Sequence, residues 1–175
     1  MNRKRFSLGL IIGIVLSIMS CATMQKVSSF DTNIQYETDN PAVTLTIVPS
    51  WTNNLILGSG FSGFQCTFKN NTDKVVRVVW DQSSINYNGN SFVPFLDGQK
   101  YIEAQNPMSP TAIAKSGTLS KDVFSSNQPR YTSGKYGGWS MSPITAKTVE
   151  LVLCIKSDSG EEYVTATINA ILETE

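Results

Sequence analysis

Three cysteines, fourteen acidic residues and no histidine set the chemistry open to this chain of 175 residues. Without imidazole there is no Ser-His-Asp or Cys-His nucleophile and no histidine-bound metal. Zinc would need a set of cysteines, and beyond Cys21 only Cys66 and Cys154 are available, so neither a metal nor a cofactor is expected. No S-x-x-K occurs. Asp81, Asp97, Glu103 and Asp122 could in principle hydrolyse sugars as pairs, but they fall at strand ends and in loops with nothing to pair them. Gly58, Gly60 and Gly63 spell G-x-G-x-x-G with Asp81 beyond. A dinucleotide site needs a helix after that turn, to meet the pyrophosphate with its amino terminus. The sequence that follows, FQCTFKNNTD, reads as a strand and a turn, so the glycines are expected to form a flexible loop. The chain is expected not to be an enzyme.

The elements that would position these residues are short strands. AVTLTIV (42–48) alternates apolar and threonine positions, and GFQCTFK (63–69) sets Phe64, Cys66 and Phe68 on one face. KVVRVVWD (74–81) turns Val76, Val78 and Trp80 inward and Arg77 outward. Asn88-Gly89 inside SINYNGNSFVPF predicts a tight hairpin. TLSKDVF (118–124), KTVELVLCIKSD (147–158) and EEYVTATINAIL (161–172) complete the set, the last two joined at Asp158-Ser159-Gly160. Past the first twenty residues no stretch sustains a 3.6-residue apolar period. The expected fold is all-β, an antiparallel β-sandwich of about 7–9 strands over residues 42–175, which the resemblances given below make immunoglobulin-like.

Asn70-Asn71-Thr72 matches a glycosylation acceptor, yet Asn-Asn-Thr-Asp between two apolar strands reads as a turn. Two longer pieces interrupt the strands. Residues 106–117 carry two prolines and are expected to cross between sheets; residues 125–143 are long for a connection. The second holds Arg130, Tyr131, Tyr136 and Trp139, residue types favoured at interfaces. Its rings either contact a sugar or protein partner or pack back over the sandwich end; packing is the first reading.

Cys66, Trp80 and Cys154 resemble the Cys…Trp…Cys order of immunoglobulin domains, which implies a disulfide across the sandwich. Position 152 is Val, where that pattern has Tyr, and strand alternation sets Cys154 with Glu150, Val152 and Lys156, away from Val149, Leu151, Leu153 and Ile155. A Cys66–Cys154 bond and two buried or half-buried thiols both stay open, the thiols being the default.

At the amino terminus Arg3, Lys4 and Arg5 precede an uncharged run of about 14 residues that ends at small residues, the pattern of a secretory signal. A spanning helix wants about 20 apolar residues, so an uncleaved anchor fits less well. Ile18, Met19, Ser20 and Cys21 resemble the lipobox of bacterial lipoproteins. That resemblance implies cleavage before Cys21, a diacylglyceryl thioether on its sulfur and acylation (palmitate or a similar chain) of the new amino terminus. Several chains anchor stably where one would not. The expected organisation is a helical signal peptide over 1–20, a lipidated terminus and flexible tether over 21–41, and one domain over 42–175. Ala22 lacks the aspartate that retains enteric lipoproteins at the inner membrane, so with two membranes the outer is favoured. Without the three basic residues of the signal, eleven Lys+Arg face fourteen Asp+Glu with no basic run, which argues against a nucleic-acid partner.

FKNNTDKVVRVVWDQSSI and, more loosely, AQNPMSPTAIAKSGTL resemble segments of small bacterial envelope lipoproteins with one immunoglobulin-like domain. The likeness implies fold and location and assigns no activity. The function expected is a non-catalytic, membrane-anchored interaction or structural module with an envelope protein or glycan as partner. Its first alternative is a carbohydrate-binding module using Tyr131, Tyr136 and Trp139; an envelope hydrolase is the remote one.

Overall fold

Alternating β-branched and aromatic residues favour strands, whose successive side chains point to opposite faces. A computed structural model describes residues 26–54, 57–135 and 137–173 and folds them into twelve strands. In chain order these are β1 (Val27–Tyr36), β2 (Val43–Asn54), β3 (Gly58–Asn70), β4 (Val76–Tyr87), β5 (Asn90–Phe92), β6 (Pro94–Leu96), β7 (Thr111–Ile113), β8 (Thr118–Ser125), β9 (Pro129–Thr132), β10 (Gly138–Met141), β11 (Thr148–Ser157) and β12 (Gly160–Leu172). A 3-10 turn spans Tyr101–Glu103. No helix among the described residues is long and apolar enough to cross a membrane.

Strands β1, β12, β11, β4 and β5 form one antiparallel sheet in that order, with β7 also on β4. Strands β2, β3, β8 and β6 form the second, and β9 pairs only with β10. The protein is thus an all-β antiparallel sandwich. The order β2-β3-β8-β6 opposite β12-β11-β4-β5 corresponds to strands A-B-E-D and G-F-C-C′ of immunoglobulin domains. The strands outnumber the 7–9 expected, because the two long connections contain β7 and the β9–β10 pair.

Alternation sends Val149, Leu151, Leu153 and Ile155 of β11 and Val164, Ala166 and Ile168 of β12 into the space between the sheets, all fully buried. From the other side come Phe61, Phe64, Cys66 and Phe68 of β3, and Trp80 of β4 meets Phe68 edge-on with centroids 5.9 Å apart. Such a pair adds about 1 kcal/mol beyond the area it buries. The Trp80 indole N–H donates to the Thr111 hydroxyl at 2.8 Å, so its one polar atom is satisfied.

Two turns follow the sequence reading closely. Asn88 and Gly89 both take positive φ, 50° and 73°, the geometry of a two-residue hairpin turn with the twist that β4 and β5 require. Asn70 is buried at the end of β3; its side-chain amide donates to the carbonyls of Lys74 and Ala114, and its oxygen accepts from the Thr72 amide and hydroxyl.

Two readings need correction. Residues 27–36, placed in a tether with room for only a short strand around 34–37, form β1, hydrogen-bonded along β12 from Val27↔Leu172 to Tyr36↔Val164. This edge strand half-buries Phe30, Ile34 and Tyr36 and leaves Asp31, Asn33 and Gln35 in solvent, so its composition looks polar. The glycines at 58–63, expected in a flexible loop, lie inside β3. Phe61 exchanges two 2.9 Å backbone hydrogen bonds with Ile144, and a Cβ on Gly60 would collide with the Ile144 carbonyl. Gly60 thus serves backbone approach, while Gly63 leaves room for the Phe124 ring.

Candidate functional site

The long connection after β8 is rooted by a buried glutamine. Gln128 accepts from the Ser125 amide through Oε1 at 2.8 Å and donates through Nε2 to the carbonyls of Phe61 and Ser62, both at 3.3 Å. From that root β9 runs out and β10 returns, with Tyr131 directly opposite Trp139. A Cβ on Gly137 would collide with the Thr132 carbonyl, so the hairpin's closing path depends on glycine there.

Tyr131 and Trp139 do not fold back over the sandwich as first read. Tyr131 is 61% and Trp139 45% exposed. They sit 5.5 Å apart at 58°, and Tyr101 meets Trp139 at 6.0 Å and 65°. Tyr101 in turn rests edge-on against the buried Phe95 at 5.8 Å. A file of four rings therefore runs from the interior of β6 to solvent, with Ile102, 75% exposed, beside Tyr101. Tyr101 and Ile102 went unnoticed in the sequence because they lie 27 and more positions before the hairpin. Steep angles between neighbouring rings deny a sugar the flat platform that coplanar rings would make. They suit side chains that wedge between them, as at protein contacts.

Arg130 is exposed on β9 and, by strand alternation, points away from Tyr131. It lines a polar hollow of about 420 Å³ with Gln128 and Ser142, so the structure separates it from the rings it was grouped with. Tyr136 lies outside the described residues, as do Ile18, Met19, Ser20 and Cys21.

Cys66 and Cys154 are both free and buried, which corrects the disulfide alternative. Cys66 lies between the sheets, where burial and then Asp122 push its thiol up to about 12. Cys154 is on the outer face of β11, as alternation predicts. Its thiol donates to Gln82 at 3.1 Å and its backbone amide to Ser83 at 3.0 Å. Burial and then Glu161 raise this thiol too, against the hydrogen bond from Tyr163 across the strands. The two sulfurs face opposite sides of one sheet. Thiols held protonated in this way are poor nucleophiles.

The acids do not converge. Asp81 and Asp122 are exposed on different sheets, Asp97 is exposed after β6, and Glu103 lies 4.0 Å from Lys100. Among the described residues no group of three or more His, Cys, Asp or Glu could hold a metal ion. No protein-family model, curated protein or solved structure matches the chain.

Proposed function

We propose that this chain is a non-catalytic lipoprotein of the cell envelope, held at the membrane by lipid on Cys21. Its sandwich presents the β9–β10 ridge to another envelope protein. One observation carries the partner reading: Tyr131, Trp139, Tyr101 and Ile102 stand together in solvent at angles that leave clefts between rings. Exposed aromatic clusters of this kind supply the few anchors that dominate binding energy. The anchor reading rests on the signal pattern and the lipobox resemblance at Ile18-Met19-Ser20-Cys21.

The position of β1 sharpens the anchor. Only six steps of chain separate Cys21 from Val27, so a fully extended segment spans about 20 Å. The Val27 end of the sandwich would ride close to the bilayer, with outer-membrane placement favoured where there are two membranes.

Two experiments test the proposal. Cys21→Ser is expected to abolish incorporation of labelled palmitate and release the protein from the membrane fraction; an unlipidated variant still retained contradicts the anchor. Crosslinking of intact envelopes followed by affinity purification is expected to recover one protein with the wild type and lose it with the Tyr131→Ala/Trp139→Ala double variant. Equal recovery from both places the contact elsewhere.

A further inference from the structure

The hollow beside Arg130 lies where the β4–β5 turn faces the root of the β9–β10 hairpin. It holds about 420 Å³, within the range of small-molecule sites. Asn88, Asn90 and the Tyr87–Phe92 ring pair come to it from the β4–β5 hairpin. Asn127, Arg130 and Thr145 come from the long connection that leaves β8 and ends at β11. The ridge makes no use of this space.

Hydrogen bonds within the protein brace its walls. Gln128, 2% exposed, is tied by its side chain to Ser125, Phe61 and Ser62, and its backbone carbonyl accepts from the Ser142 amide at 2.8 Å. Asn127 Nδ2 donates to the Tyr87 hydroxyl at 3.2 Å, which joins the long connection to the β4–β5 hairpin. Asn90 Nδ2 donates to the Asn88 carbonyl at 3.0 Å, within the turn set by positive φ at Asn88 and Gly89. Walls held in this way cost a ligand little ordering on binding. The groups left over are polar. Among the described residues Arg130 has no ion pair or hydrogen bond, and no Asp or Glu lines the hollow. The Asn88 side-chain amide, Asn90 Oδ1, Asn127 Oδ1 and the Thr145 hydroxyl also lack partners in the protein.

The chemistry of the lining selects the ligand class. A cation with no carboxylate beside it favours an anion, and a second negative charge would find no partner there. The planar guanidinium matches a carboxylate through two parallel hydrogen bonds. Side-chain amides and a hydroxyl both donate and accept, and ligand hydroxyls do the same. An aliphatic acid would cover these groups without pairing them, and an amine is repelled by Arg130. Tyr87 and Phe92, stacked at 4.7 Å, supply the apolar part of the lining. We infer that this hollow binds a small hydroxylated carboxylate, a sugar acid, with its carboxylate on Arg130 and its hydroxyls on Asn88, Asn90, Asn127 and Thr145. Arg130 points away from Tyr131 on β9, so the site is separate from the ridge and does not depend on the envelope reading.

The test titrates the full-length chain in detergent, by calorimetry, with galacturonate, glucuronate and gluconate. Galactose and glucose are the neutral controls, and glucose 6-phosphate asks whether a phosphate serves in place of the carboxylate. At least one sugar acid is expected to saturate, neither neutral sugar is, and added potassium chloride should weaken the binding. Arg130→Gln is expected to weaken it about tenfold or more, and Thr145→Val, which keeps the shape and removes the hydroxyl, several-fold. Lys147→Gln removes an exposed cation outside the hollow and should leave the affinity unchanged. Circular dichroism checks that each variant is folded. Failure of every sugar acid to saturate overturns the inference. So does equal binding of a neutral sugar, tighter binding of glucose 6-phosphate, or affinity that survives Arg130→Gln.

Discussion

The ring-bearing hairpin and the polar rung are built on opposite principles. Strands β9 and β10 pair only with each other and carry rings exposed on a short two-stranded unit. The rung is Asn33, Thr167, Glu150 and Asn86, aligned across the outer face of the larger sheet, and directly behind it Ile85, Leu151 and Ala166 are fully buried. A lone hairpin has little stability of its own, so its geometry can adapt to a partner, whereas side chains on a packed sheet are held in place. An adaptable aromatic surface suits a protein contact.

The contrast can be broken most forcefully from behind the sheet. Leu151→Ala should cost about 2–5 kcal/mol, read by urea denaturation. A loss below 1 kcal/mol would mean the rung is not supported as described. Next in size, Cys66→Ser places a hydroxyl between the sheets and should cost about 1–3 kcal/mol. The same site gives a pH test. A thiol whose folded pKa lies near 12, above its value of 9.0 in the open chain, contributes stability that is complete below pH 9. That stability is lost as pH rises from 9 towards 12, so the wild type should weaken over this window and Cys66→Ser should not share that component.

Smaller effects are expected on the hairpin. Gly137→Ala sets a Cβ against the Thr132 carbonyl and should displace the β9–β10 tip, altering tryptophan fluorescence while costing the whole fold less than about 1 kcal/mol. A drop of several kcal/mol would show the hairpin to be part of the sandwich's cooperative unit. Smallest of all, Trp139→Ala should move global stability by no more than about 0.5 kcal/mol, because the ring is largely solvated. Its effect belongs in partner capture.

What could be read in the chain follows the range over which each signal acts. Strand alternation, Asn88-Gly89 and Asp158-Ser159-Gly160 are local, and each marks the element it suggested; the outward direction of Cys154 came from alternation alone. Edge strand β1 was hidden because only Val27, Phe30, Ile34 and Tyr36 bear on the core and the rest of VSSFDTNIQY stays polar. Gly60 misled because its reason, the close approach of Ile144, lies more than 80 residues away. The rung was invisible for the same cause. Asn33, Asn86, Glu150 and Thr167 become neighbours only once four strands are in register.

The most direct test places a photo-crosslinking amino acid at position 139 or at position 150 and irradiates intact cells. A discrete protein adduct is expected from position 139 and none from position 150. No protein adduct from 139, or the same adduct from both positions, would contradict the account of the ridge as the protein-contacting surface.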